Sequence, residues 1–194
     1  MSQSPHQTPQ RPSGRPVSID PEVVARRALE LFAARGYDAV SMGEIAVETG
    51  IARKSLYRYF ESKPALVWGG LLDAVDVSGS MLQTAALDNS AILEGLMAAS
   101  AAVVASLPDL EVTRGRLRLI ANHPELMAHA PSMLESQRRR VHEYFLASGM
   151  EAERAHYLSI AHASVSFAAW LRWSRGDQPS PLPFLRGALE VLRF

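Results

Sequence analysis

The sequence predicts an all-α protein, and three observations carry that reading. Apolar residues recur at three-to-four spacing through every long segment. No stretch alternates apolar with polar residues, and no hairpin turn is evident. Glycine, proline and capping residues fall where the helical spacing breaks. The 194 residues, 47% of them hydrophobic, supply a core for one medium domain or for a small domain joined to a larger one.

Taken in order, residues 1 to 17 hold four of the twelve prolines and almost nothing to bury, which reads as a mobile arm. Asp20 suits a helix N-cap and Pro21 the first helical position; Val24, Ala28, Leu31 and Phe32 then line one face until Gly36 ends the first helix. Ser41-Met42-Gly43-Glu44 has the form of a capping box and opens a second helix, with Ile45 and Ala46 facing inward and Gly50 closing it. A third short helix covers Arg53 to Phe60. Ser62-Lys63-Pro64 opens a fourth that runs to about Thr84. Further breaks at 88–90, 107–109, 122–124, 130–131, 148–149 and 176–183 cut out helices near 90–106, 110–121, 131–147, 151–175 and 182–193. The expected architecture is about nine helices: an N-terminal three-helix unit over 18–64 and a larger helical unit over 65–194.

Composition excludes several kinds of chemistry. With no cysteine, the chain has no disulfide, thiolate zinc site, iron–sulfur cluster or cysteine nucleophile. The longest apolar stretches, such as Ala161 to Leu171 with its breaks at His162, Ser164 and Ser166, fall well short of the roughly 18 to 20 uninterrupted residues a membrane span needs. No apolar leader is evident, and a cytoplasmic protein is expected. His123 and His129 are six apart, as are His156 and His162, so no pair has the i, i+4 spacing of a helical metal site. Neither a glycine-rich phosphate loop nor a nucleophile elbow is present. The expectation is a protein that is not an enzyme and needs no metal or cofactor.

Net charge is formally zero, with a mild bias. Residues 1–65 carry nine Lys and Arg against seven Asp and Glu, and the only two lysines, Lys54 and Lys63, fall within this stretch. Such a balance argues against indiscriminate polyanion binding while allowing a local basic surface.

The second and third helices, joined by a tight turn at Gly50, fit a helix-turn-helix whose second rod enters the DNA major groove. Ile45, Ala46, Ile51 and Leu56 fall where two steeply crossed helices pack. The opposite face of the third helix offers Arg53, Lys54, Ser55, Tyr57, Arg58 and Tyr59, which are donors for phosphates and base edges. Phe60 reads as a core aromatic.

The run SMGEIAVETGIARKSLYRYFESKPAL, preceded by ALELFAARGYDAV, resembles the DNA-binding module of TetR-family transcriptional regulators over roughly residues 20 to 70. The features shared are Gly36-Tyr37 after the first helix, Ser41 capping the second, and Tyr57, Phe60, Ser62 and Lys63 at and after the end of the third. Two positions depart from the family pattern. Ala52 stands where a Ser or Thr commonly caps the recognition helix, and Lys54 stands where a Gly is common. The resemblance implies that Tyr57, Lys63 and the Ser41 backbone hold phosphates, and that Arg53, Lys54, Ser55 and Tyr59 face base edges. Arg11 and Arg15 could reach a neighbouring minor groove as basic arms do.

The resemblance further implies a homodimer on a double-stranded operator, joined through the last two helices. Ala161, Ser164 and Ala168 would permit close approach, and Leu185, Leu189 and Leu192 line one face of the last helix. Between the helices a pocket for a hydrophobic small-molecule effector is expected, lined by Trp68, Met81, Met97, Met133, Tyr144, Phe167 and Trp170, with Leu117 and Ile120 beside them. Arg118, Asn122, His123 and Gln137 are its polar candidates. The segments SKPALVWGG, RLRLIANHPEL and WLRW look like a TetR subgroup that recognises acyl-CoA-like molecules, which implies an anionic head met by Arg114, Arg116 or Arg118. The alternative function is a helical small-molecule-binding or protein-interaction module without specific DNA binding.

Overall fold

The computed structural model describes residues 20–82 and 89–192, except for the side chains of 72–81, 89 and 90. The arm expected at 1–17, and Arg11 and Arg15 with it, lie outside the described residues. Among those described the chain forms eleven helices and no strand. They are α1 (Pro21–Arg35), α2 (Met42–Glu48), α3 (Arg53–Tyr59), α4 (Lys63–Leu82), α5 (Asn89–Ser106), α6 (Leu110–Asn122), α7 (Pro124–Ala128), α8 (Ala130–Met133), α9 (Glu135–Ala147), α10 (Ala152–Ser174) and α11 (Leu182–Glu190). The two helices beyond the expected nine come from 124–133. There His123 and His129 interrupt the ladder, and Pro124 and Pro131 each occupy one of the first two positions of a new short helix.

Local chemistry accounts for the N-terminal elements. The Asp20 side chain accepts from the Glu22 amide at 2.9 Å and caps α1. Gly36 ends it at φ 85°, a left-handed conformation that a β-carbon would strain, and its N–H returns to the Phe32 carbonyl. The capping box of α2 is complete: Ser41 Oγ accepts from the Glu44 amide while the Glu44 carboxylate accepts from the Ser41 amide. Gly50 at φ 67° turns the chain into α3, and the Ile51 amide closes the corner on the Ala46 carbonyl at 3.0 Å. The N-cap Ala52 gives α3 no side-chain hydrogen bond.

Two clusters of buried residues hold the molecule. The first includes Val24, Phe32, Tyr37, Ile45, Leu56 and Phe60 from the N-terminal helices, and it continues without a break into Leu66 and Trp68 of α4, Ile120 of α6 and Leu126 of α7. Trp68 Nε1 donates to the Leu126 carbonyl at 3.2 Å, pinning α4 to α7. The second joins Ile92, Leu96, Val141, Tyr144, Phe145 and Leu189 from α5, α9 and α11. The long helix α10 packs on α6, α9 and α11, so it forms the spine of the larger unit.

One buried charge crosses between the two units. Arg116 of α6 is 1% exposed, and its guanidinium pairs with Glu22 of α1 at 3.1 Å. The space it occupies exists because residue 70 of α4 is glycine: a β-carbon there would collide with both the Arg116 guanidinium and the Glu22 carboxylate. Beside it, Arg26 meets Asp109 at 2.5 Å, and Leu29 of α1 packs against Gly115 of α6.

Two substitutions check this account. Gly70→Ala should lower unfolding free energy by roughly 2 kcal/mol or more, since overpacking and an unpaired buried charge act together. Gly69→Ala, whose β-carbon would meet the Phe60 ring at an ordinary 3.8 Å, should be neutral or slightly stabilising in urea titrations, as alanine favours the helix. Equal effects would refute the role given to residue 70. Separately, Ala52→Ser should supply the missing cap of α3, adding about 1 kcal/mol and raising the melting temperature by roughly 2 to 4 °C.

Candidate nucleic-acid interface and effector cavity

The orientation of α3 is set by Leu56, which is wholly buried while its neighbours point outward. Arg53, Lys54, Tyr57, Arg58 and Tyr59 are exposed and Ser55 is half-buried. The Arg53 guanidinium lies 5.8 Å from the Tyr57 ring centroid, and that of Arg58 lies 5.4 Å from the Tyr59 ring. Each ring restricts its cation without neutralising it. Among the described residues, none of the α3 cations is held in an ion pair. The helix therefore presents a cationic, aromatic face built of donors, suited to a polyanion.

Two expected phosphate ligands are placed differently. The Ser41 amide donates to Glu44 Oε2 at 2.8 Å, so it is engaged within the capping box and has a carboxylate beside it. The hydrogen bond from that amide, then those from the Arg35 guanidinium and the Ser41 hydroxyl, hold the Glu44 carboxyl down at about 2. Lys63 is half-buried. Its ammonium donates to the Tyr37 carbonyl at 2.8 Å and stands 4.3 Å over the Tyr37 ring, tying the start of α4 to the end of α1.

In the larger unit an apolar cavity with about 70 Å³ of free space is walled by α4, α5, α6, α9, α10 and α11. Of the expected lining residues it brings together Trp68, Leu117, Gln137, Phe167 and Trp170; the Trp68 and Phe167 rings stack at 5.9 Å. Leu71, Leu96, Val103, Leu134 and Val141 complete much of the wall.

Other expected lining residues lie elsewhere. Met133 packs against the first cluster and Met97 against the second, while Ile120 and Tyr144 are buried within those same two clusters respectively. The Tyr144 hydroxyl points to the Ile92 carbonyl at 3.4 Å. Asn122 is exposed, and the His123 ring lies against Tyr37 with centroids 4.8 Å apart. The Met81 side chain lies outside the described residues.

The arginines expected to meet an anionic head are engaged away from the cavity. Arg114 donates to the carbonyls of Trp173, Gly176 and Gln178, and Arg118 to those of Ser174 and Gly176, so both cap the end of α10. Arg116 is held by Glu22.

Three polar residues on the cavity escaped sequence reasoning: Ser100 of α5, and His162 and Ser166 of α10. His162 and Ser166 are 4% and 5% exposed, one turn apart on α10. In sequence they sit inside a run of small residues, where the spacing suggested helix packing alone. Burial pushes the His162 imidazole down from 6.5 to about 4, so the ring is neutral at pH 7.

The same end of the molecule corrects the expected interface. Leu185 and Leu189 are 3% and 1% exposed and face the interior of the subunit, because α11 packs on α5 and α10; Leu192 packs against the second cluster. Ala161 is half-buried. Ser164 and Ala168 do face outward, in line with the exposed Tyr157 and Ile160. Outward on α11 are Pro183 and Gly187, with Val191 exposed just past its end.

Comparison with known proteins decides what this arrangement is. Residues 25–67 match the family model for bacterial regulatory proteins of the tetR family. A protein named as a mycofactocin biosynthesis transcriptional regulator, MftR of Mycobacterium tuberculosis, is 30% identical over 185 residues, covering 92% of each chain. The chain belongs to the TetR family. The HTH-type transcriptional activator FasR of Mycolicibacterium smegmatis is 32% identical over 162 residues, covering 78% of this chain and 71% of that one. Among solved structures, the TetR-family regulator PfmR of Thermus thermophilus shares the fold at a TM-score of 0.53 and 20% identity, covering 87% of this chain and 96% of that one. As a TetR-family member the chain is a DNA-binding transcriptional regulator and not an enzyme.

The depressed histidine makes a sign-definite prediction. The unfolded ring takes a proton below about 6.5 and the folded ring only below about 4, so stability is lost as pH falls through that window. Between pH 7 and 5 the loss should be about 2 kcal/mol, and His162→Gln should flatten it in urea titrations. The low-lying carboxylates Glu44, Glu135 and Glu151 act below this range. A variant with the wild-type slope would show that other groups carry the acid sensitivity.

Proposed function

We propose that the protein is a ligand-responsive regulator that binds a near-palindromic operator as a homodimer in the cytoplasm, with residues 18–64 reading DNA and 65–194 binding the effector and the second subunit. The observation that carries this is the outward face of α3, five exposed donors around one buried leucine. Arg53, Lys54, Ser55 and Tyr59 are assigned to base edges and Tyr57 and Arg58 to phosphates. Ser41 and Lys63 take a supporting part, fixing the head by their internal hydrogen bonds.

A single head of this size binds too weakly to select a site among genomic competitors, so two copies about one helical turn apart are needed. The outward stripe Tyr157, Ile160, Ser164 and Ala168 of α10, with Pro183 and Gly187 of α11 and Val191 just past its end, is assigned to the subunit contact. It combines apolar area with small residues that admit close helix approach.

Coupling between effector and DNA would run through α6. Leu117 stands on the cavity and the adjacent Arg116 holds α1, so a ligand that displaces α6 turns the reading head. Differential affinity of 1 to 3 kcal/mol, typical of allosteric coupling, suffices to change operator occupancy. FasR carries the name of an activator, so relatives do not restrict the outcome to repression.

The test is binding to the DNA upstream of the protein's own gene across a salt series. Selective binding that weakens steeply with salt is expected, and Lys54→Ala should weaken it roughly tenfold or more, with unchanged dimer mass by light scattering. If Lys54 meets phosphates, the logarithmic salt slope should fall by about two, close to one per subunit; if it meets a base, selectivity should change instead. Absence of selectivity over random duplex at every salt concentration would favour an interaction module.

A further inference from the structure

We propose that the part of the effector entering the cavity is uncharged and largely apolar and carries one neutral oxygen function, a hydroxyl or carbonyl, held jointly by His162 and Ser166. This rests on the reading of the cavity as the effector site and names the class of ligand it takes.

Two unpartnered polar atoms carry the inference. Nδ1 of His162 and Oγ of Ser166 have no hydrogen-bond partner in the protein, although both side chains are more than nine-tenths buried and both line the cavity. Buried polar groups are nearly always satisfied, so a pair left open on one wall marks a place for a ligand's polar group. Position within a helix does not explain Ser166. The hydroxyls of Ser100, Ser148, Ser159, Ser164 and Ser174 all turn back onto a carbonyl of the preceding turn. The Ser166 hydroxyl makes no such bond. Residues 162 and 166 are four apart on α10, so their side chains stack on one face and can converge on a single atom.

The charge environment defines the class of that atom. Among the described lining residues none is ionised: the wall is aliphatic and aromatic, with Ser100, Gln137, Ser166 and the neutral His162 as its polar members. The Ser100 hydroxyl is engaged with the Leu96 carbonyl. Arg114, Arg116 and Arg118 face other partners. A carboxylate placed here would be desolvated without a counter-ion, which is strongly unfavourable. A hydroxyl or carbonyl suits both open groups. Serine Oγ can donate or accept, and a neutral imidazole nitrogen can do either according to its tautomer. Trp68, Phe167 and Trp170 then flank an alkyl or ring body.

Trp68 and Trp170 supply the readout. Full-length protein at pH 8 is titrated with 1-octanol, octanoate and n-octane while intrinsic fluorescence is followed, and calorimetry checks the end points. 1-Octanol should bind at least tenfold more tightly than octanoate. Ser166→Ala should weaken 1-octanol at least fivefold and leave n-octane within twofold, and His162→Leu should act in the same direction; if the latter fails to fold, Ser166→Ala alone decides. Octanoate binding as tightly as 1-octanol, or variants that leave 1-octanol unchanged while n-octane binds, would overturn the polar anchor and leave the cavity as an effector site. Failure of all three probes to bind would overturn the effector reading itself, and the anchor with it.

Discussion

The buried guanidinium of Arg116 is the constraint on which the arrangement of the two units depends. It reaches from α6 to Glu22 of α1 through space left by Gly70 of α4, so three helices from both units meet at one charge. A buried charge held by a single carboxylate is weak evidence of net stability, because desolvation offsets much of the attraction. Its effect is geometric. A guanidinium 1% exposed cannot turn to water without moving a helix, so the relative positions of α1, α4 and α6 are coupled through it. The apolar core repeats the same connection: Tyr37, Phe60, Trp68 and Ile120 belong to one continuous cluster, with no apolar gap where the reading head meets the body.

Helix α6 occupies three environments at once. Arg114 and Arg118 bind carbonyls at and beyond the end of α10, Leu117 touches the cavity, and Arg116 holds α1. Residues 114 and 118, one turn apart, share a face toward α10, while 116 and 117 point in two other directions around the helix, so displacement of one face is felt by the others. The arginines thus serve internal geometry. That explains why a sequence rich in arginine at this point does not create a cationic pocket, and the cavity's polar members are the uncharged Ser100, Gln137, His162 and Ser166 of α5, α9 and α10.

Much of the fold was legible because its signals are local. Asp20, Ser41 with Glu44, Gly36 and Gly50 act within four residues of themselves, and each performs the capping or turning its chemistry suggests. The outward face of α3 was legible for the same reason, since one buried Leu56 fixes a seven-residue helix. What was not legible depends on partners distant in sequence. Leu185 and Leu189 form an apolar stripe equally suited to a second subunit or to the body of the same one, and contact with α5 decides in favour of the latter. Lys63 has the composition of a phosphate ligand, yet its ammonium donates to a carbonyl 26 residues earlier. His162 and Ser166 look like spacers in a small-residue run until burial and the absence of protein partners distinguish them. Pro131 marked a helix start, but that helix ends at Met133 and another begins at Glu135, so the one helix expected over 131–147 is two, and Pro124 opens a further helix at an expected break.

The brevity of the reading helices shows where regulation can act. Helices of seven residues are marginal on their own, and α3 lacks even an N-cap, so its form comes from packing against α2 and the first cluster. Its internal shape is therefore a property of a core that extends into α4, α6 and α7. A ligand in the cavity has no direct contact with the residues that hold α3 in place, because Leu56 and Ile45 do not line the cavity wall. It can instead rotate the whole cluster through α6 and the first turns of α4, where Lys63, Trp68 and Gly70 lie within eight residues of one another. Under the dimer proposed above, an effector in the cavity would change the distance and angle between two intact heads, and the sensitivity of the response would be set by how rigidly Arg116, Lys63 and Trp68 hold each head to its body.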